Sequence, residues 1–274
     1  MLRCPMLLWR MLVPGLLLAV LPAQAAAVAE LDASPRHHEW IKVASGARQV
    51  RAFVAFPEVK DKALAVLVLH ENRGLTDWVR VVCDRLAKAG FVAVAPDLLS
   101  EFDKEHADTA AFADSDAARK AISDLKPAQV QADLLAVQAA VQKLPACNGK
   151  TASVGFCWGG AQSFLLATAS KDLACACVFY GLPPADDKLA DVKAPVHGFY
   201  GENDRRINDT IAATEAAMKK LDKKYEPVVY PGVGHAFLRM GDEKDPTDAV
   251  KKACADAWER LLKVLRTADG AEAR

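Results

Sequence analysis

Net charge of either sign is what this chain most plainly lacks. Its 274 residues carry 35 Lys and Arg against 35 Asp and Glu, so no global basic field exists to hold a nucleic-acid backbone, and no nucleic-acid partner is expected. Internal repeats are missing, as are low-complexity tracts past the N-terminal segment and any Pro- or Gly-rich linker that would divide the chain. At 52% hydrophobic, 26% charged and 7% aromatic residues the composition is that of a folded protein, which excludes disorder. Seven cysteines are present, but none shows the spacing of a metal site, and no metal is expected. Cys175-x-Cys177 falls on an apolar strand, where its two thiols are expected on opposite faces and so unsuited to chelating one ion.

One long apolar run is present, and it stands at the start. Residues 1–25 contain no Asp, Glu or Lys, carry Arg3 and Arg10, run apolar from Met11 to Leu21 and close on Ala23-Gln24-Ala25. This is the pattern of a secretory signal peptide with a small-x-small cleavage site; an uncleaved anchor is the alternative. Residues 26–274 are then expected as a single periplasmic or secreted domain with a charge near −2, monomeric and free of the membrane. Export raises the possibility of disulfides: Cys147 with Cys175 and Cys83 with Cys254 are candidate bridges, with buried free thiols as the alternative.

The body of the chain alternates strand-like and helix-like patterns. Residues 39–45 and 48–56 read as a starting hairpin about Ser45-Gly46. Ala63 to His70 is a nearly continuous apolar run, as for a strand buried on both faces of a parallel sheet. Strands are then expected at 91–95, 151–156, 174–180, 195–200 and 226–230. Helices are expected at 77–89, 108–124, 127–143, 159–170, 208–222 and 246–266. Strands alternating with helices predict an α/β fold, a mostly parallel doubly wound sheet with helices on both faces. The acid-rich stretch 101–116 is either a solvated loop and helix face or a wall of the substrate cleft.

Chemistry concentrates at Gly155-Phe156-Cys157-Trp158-Gly159-Gly160. An apolar strand running into Gly-x-Cys-x-Gly-Gly and then a helix has the context of a nucleophile elbow, with Cys in place of Ser. The turn aims backbone N–H groups of the helix start at the sulfur. Two more strand ends supply partners: Asp204 after strand 195–200 and His235 after strand 226–230. The order nucleophile, acid, histidine is that of α/β hydrolases. The alternatives are a structural cysteine, a helix cap and a turn residue. A fourth strand end carries Glu71-Asn72-Arg73-Gly74. Here the backbone N–H of Asn72, with that of Trp158, is the candidate oxyanion hole. Glu71 either accepts the thiol proton or holds the thiol in a resting conformation, or is a surface carboxylate paired with Arg73.

Together with His70-Glu71-Asn72-Arg73-Gly74, Ala95-Pro96-Asp97-Leu98, Gly201-Glu202-Asn203-Asp204 and Gly234-His235-Ala236-Phe237, the elbow resembles the dienelactone hydrolases, or carboxymethylenebutenolidases, over residues 40–265. The resemblance implies a cofactor-free α/β-hydrolase domain whose Cys attacks a lactone or ester carbonyl to form an acyl-enzyme. It makes Cys157, Asp204 and His235 the triad and Glu71 the group that switches the thiol toward thiolate. Of two family arginines that hold a substrate carboxylate, Arg239 occupies one place. Leu99-Ser100-Glu101 stands at the other, where Glu101 is expected to repel an anion; Arg73 is a candidate replacement and Phe237 a further substrate-contacting residue. The partner is thus a small ester or lactone. The alternatives are a thioesterase or general carboxylesterase with another acyl pocket, and a silent exported binding or redox protein.

Overall fold

The computed structural model describes residues 23–270. Most of the expected signal segment lies outside the described residues; its last part, from Ala23, opens the first helix, α1 (Ala23–Asp32). No described helix is long and apolar enough to cross a membrane.

Among the described residues eight strands form one sheet, in the order β1-β2-β4-β3-β5-β6-β7-β8. The hairpin of β1 (His38–Ser45) and β2 (Arg48–Ala55) is antiparallel and adds to β4 (Val92–Pro96), also antiparallel. From β4 through β3 (Ala63–Leu69), β5 (Cys147–Phe156), β6 (Leu173–Phe179), β7 (Val196–Gly201) and β8 (Tyr225–Tyr230) every pairing is parallel. All seven side chains of β3 are buried, which is why its sequence shows no alternation: both faces are covered by helices.

One core fills each face of the sheet. On one side Val79, Val82 and Leu86 of α2 (Asp77–Lys88) pack with Ala257, Leu261 and Leu265 of α9 (Asp248–Asp269). On the other, α4 (Pro127–Val141), α5 (Trp158–Ala169) and α7 (Arg205–Lys220) bury Leu134, Phe164 and Met218. The mostly parallel sheet with helices on both faces, read from the alternating pattern, is therefore present. The helix expected at 108–124 is interrupted: a short 3-10 turn at Thr109–Ala111 precedes α3 (Ser115–Asp124), whose start is capped by the Asp114 carboxylate. The short helices α6 (Asp186–Leu189) and α8 (Phe237–Met240) have too few residues for a visible hydrophobic period.

The cysteines correct three expectations. Cys175 and Cys177 lie in the same core, on one face of β6, because residues two apart on a strand point the same way. Cys147 sits in the opposite core from Cys175, so the sheet separates the first candidate pair. Cys83 and Cys254 share a face but remain unbonded, as do all six described cysteines; the Cys254 thiol donates to the Phe237 carbonyl at 3.3 Å instead.

The N-terminal segment is held by one buried carboxylate. Asp84 on α2 accepts from Ser34 Oγ at 2.6 Å and Arg36 Nε at 2.8 Å, and bonds His38 Nε2 at 2.7 Å. Burial alone would raise its pKa, but these bonds outweigh it and bring the group down to about 2.

Candidate active site

Cys157 sits between β5 and α5 with φ +54° and ψ −113°, a backbone conformation that is strained for any residue with a Cβ. Two close approaches hold it there. A Cβ on Gly155 would lie 1.9 Å from the carbonyl oxygen of Gly159, and one on Gly159 would lie 2.3 Å from that of Leu69. Glycine at both places lets the start of α5 press against its own strand and against the end of β3. The Cys157 N–H donates to the Phe179 carbonyl at 3.0 Å, fixing the elbow to β6.

The other strand ends converge on it. The Asn203 N–H donates to the Val233 carbonyl at 2.8 Å, tying the loop after β7 to the loop after β8. In those loops His235 Nε2 stands 3.1 Å from Cys157 Sγ, and His235 Nδ1 stands 2.5 Å from Asp204 Oδ2. Asp204 holds the N-cap position of α7, yet its carboxylate makes no cap bond; it is spent on the histidine. Burial works against a charged His235, but the hydrogen bonds to Cys157 and Asp204 prevail and push the imidazole up to about 9. A ring of that proton affinity carries its proton at neutral pH.

Next to this triad stands a buried ion pair. Glu71, 7% exposed, accepts from Arg239 Nε at 3.0 Å. Its partner is thus Arg239 of α8 and not Arg73, which corrects the surface-pair alternative. Burial raises the Glu71 carboxyl above its ordinary range, with Arg239 and Arg73 pulling it back. The pair lines a cleft of about 730 Å³, walled also by Arg73, Leu75, Trp78 and Phe112, whereas Cys157 and His235 are not among its lining residues. The ion pair is therefore part of the cleft wall.

The strand end that carries Glu71 and Asn72 meets the start of α5 at His70. His70 is buried, its ring stacked on Trp158 at 5.4 Å. Burial lowers the His70 pKa, and the ring is braced by bonds of 2.7 Å to the Glu71 carbonyl and 3.3 Å from the Leu98 N–H. Trp158 opens α5, so its N–H belongs to the helix start, where no intrahelical acceptor exists.

Two site expectations fail on position. Phe237 has no exposed surface and packs against Tyr180 and Tyr230, so it belongs to the core and cannot touch a substrate in this conformation. Glu101 is exposed, accepts from the Gln49 N–H at 2.8 Å and does not line the cleft; its place in sequence after Pro96-Asp97 does not carry it to the site. The segment 109–115 does form a cleft wall. Asp97 secures it, accepting from Thr109 N at 2.8 Å and Thr109 Oγ1 at 2.7 Å, while Thr109 Oγ1 accepts from Leu75 N at 3.0 Å.

Tyr180 was not foreseen. It follows β6 with φ +41°, is wholly buried with its hydroxyl unpartnered, and meets the His235 ring edge-on at 5.0 Å. Burial, with Glu71 and Cys157 adding to it, drives the phenol well above its ordinary pKa. A tyrosine closing an apolar strand reads as core, and only its positive φ gives it away.

The model of the dienelactone hydrolase family matches residues 50–268. The chain belongs to the dienelactone hydrolase family. It is thereby a carboxylic ester hydrolase of the α/β-hydrolase fold. A Salmonella typhimurium protein, provisionally named a carboxymethylenebutenolidase, is 32% identical over 77% of this chain and 80% of its own. One of the same provisional name from Methylorubrum extorquens is 30% identical over 91% of this chain and 88% of its own. Among solved structures, a dienelactone hydrolase of equally provisional name from Klebsiella pneumoniae superposes with a TM-score of 0.73 at 29% identity, covering 84% of this chain and 98% of that one. Open α/β sheets bind their ligands outside the carboxyl ends of the strands, and the four strand ends described above lie there.

Proposed function

We propose that the protein hydrolyses small esters or lactones through Cys157, His235 and Asp204 by way of a thioester acyl-enzyme. The observation that carries this reading is the line of contacts from Cys157 Sγ through the two nitrogens of His235 to Asp204, at 3.1 and 2.5 Å. The strained elbow is a second support, since a structural cysteine has no need of φ +54°.

In the first step the sulfur, its proton held by His235, attacks the substrate carbonyl, and negative charge gathers on the carbonyl oxygen. The N–H groups of Asn72 and Trp158 are assigned to that oxygen, because Gly159 allows the α5 start to close on the end of β3. The imidazolium gives its proton to the leaving oxygen as the C–O bond breaks, leaving acyl-Cys157 and an alcohol. For a lactone the alcohol stays attached to the acyl group. His235 then takes a proton from water, the hydroxide adds to the thioester, and the acid departs as the thiolate returns. Asp204 orients the ring and offsets its charge throughout. Glu71 is the group that leaves Arg239 as substrate enters and switches the thiol toward thiolate, the proton passing on to His235.

The test is direct. Incubation with a p-nitrophenyl ester is expected to release p-nitrophenolate and to leave an acyl adduct on Cys157, visible by mass spectrometry when deacylation is slowed at low pH. Cys157→Ala is expected to lose both signals. Full turnover by Cys157→Ala ends the proposal.

A further inference from the structure

We propose, resting on the hydrolase reading above, that helix α1 closes the far end of the cleft and limits the length of the acyl group the enzyme accepts, with Glu30 as its latch. The observation is that Ala27 and Glu30 of α1 line the same cleft of about 730 Å³ as Glu71 and Arg239. α1 precedes the residues 50–268 that the family model matches, so this wall is an addition to the shared domain. Both residues also follow Ala25, and loss of 1–25 would leave them on the chain.

The contacts give the cleft two ends. At one, Glu71 accepts from Arg239 of α8, the helix that follows His235, and the charge of His235 acts on Glu71; this is the end nearer the triad. Past α8, Asp242 accepts from Trp78 Nε1 and from Arg85 Nη1, each at 2.8 Å. Arg85 in turn reaches Glu30 through Nε and Nη2, both at 2.9 Å. The order outward from the triad is thus Glu71, Arg239, Asp242, Arg85 and Glu30, the last on α1.

The walls and the stop differ in chemistry. Leu75, Trp78, Val81, Phe112 and Ala27 supply apolar surface, worth about 0.8 kcal/mol for each methylene it covers. The Glu30–Arg85–Asp242 chain is charged, and an alkyl tail that reached it would take water from these groups without offering a bond in return. Affinity therefore rises with acyl length until the tail meets α1, and then falls. α1 is held where it stands: Leu31 is buried in the same core as Val82 and Leu86, and Ser34, Arg36 and His38 close on Asp84.

p-Nitrophenyl esters from acetate to dodecanoate test this. For the wild type, kcat/KM is expected to climb from acetate and to fall again before dodecanoate; a climb that never turns overturns the length limit. In Ala27→Leu, which adds bulk to the wall, the octanoate-to-acetate ratio of kcat/KM is expected to fall about ten-fold, the loss of room for nearly two methylenes. In Glu30→Ala, which releases Arg85 from α1, the ratio is expected to rise about four-fold, the worth of one further methylene. Being ratios, both are insensitive to the fraction of protein folded. An unmoved ratio in Ala27→Leu overturns the wall and leaves the hydrolase standing, and one unmoved in Glu30→Ala overturns the latch. Absence of any ester turnover overturns the hydrolase reading, and alkylation then decides on α1. The rate of N-octyl over N-methyl iodoacetamide at Cys157, read by peptide mass spectrometry, is expected to fall in Ala27→Leu, and a ratio that stays the same rejects the wall.

Discussion

Replacing Asp204 by Asn probes the triad through the proton affinity of His235. The ordinary value of the group is 6.5; burial lowers it, and the bonds to Cys157 and Asp204 bring it up to about 9. At about 1.36 kcal/mol per pH unit the charged ring is favoured by roughly 3 kcal/mol. The ring is 33% exposed, so solvent screening reduces this to about 1–2 kcal/mol. Because the folded value lies above the unfolded one, the contribution is complete below about 6.5 and is lost as the pH climbs through about 9. Asn keeps the shape of the acceptor and removes its charge. Titration of the 15N-labelled imidazole by NMR is expected to give a wild-type midpoint near 9, falling by about one pH unit or more in Asp204→Asn. Urea unfolding at about pH 6 should show the variant less stable by about 0.5–1 kcal/mol, the share of that contribution that Asp204 supplies, a gap that closes by about pH 10. A wild-type midpoint at or below 6.5, or one that Asp204→Asn does not move, refutes the reasoning.

Gly155→Ala places a Cβ 1.9 Å from a backbone oxygen that has nowhere to go, and is expected to cost roughly 3 kcal/mol or more, a fall of about 6–12 °C in Tm by scanning calorimetry. Asp84→Ala strands Arg36 and His38 at a buried site and should lower stability by about 3 kcal/mol in urea titration. Glu71→Gln is expected to lower kcat for an activated ester by about 100-fold while iodoacetamide still labels Cys157, separating loss of the switch from loss of the nucleophile. Non-reducing peptide mapping should recover Cys83, Cys147, Cys175, Cys177 and Cys254 as free thiols. A Cys147–Cys175 bridge would contradict their placement on opposite faces of the sheet.

The residues that proved legible share one property: the backbone alone places them. Cys157, Asp204, His235 and Glu71 each follow the carboxyl end of a parallel strand, and apolar runs reveal where such strands end. Those misjudged depend on which way a side chain turns. Glu101 follows Pro96-Asp97 in sequence, yet its carboxylate bonds the Gln49 N–H. Phe237 adjoins Ala236 and His235 but turns inward onto Tyr180. Tyr180 looked like strand core, and it is core, but its φ of +41° carries it to the edge of His235. The opposite placement of Cys147 and Cys175 required the registry of two neighbouring strands, which no local pattern encodes.

Composition and local pattern by themselves determined that the chain folds, that it alternates strand and helix, and that a cysteine elbow, an acid and a histidine follow in hydrolase order. Those are consequences of burial and turn chemistry along a few residues at a time. The tertiary structure decided how the charges pair. The near-equal count of acids and bases says nothing of their partners, whereas the fold holds Arg239 between Glu71 and Glu243. Pairing at 3 Å joins residues as much as 168 positions apart, and only the folded chain brings them into range.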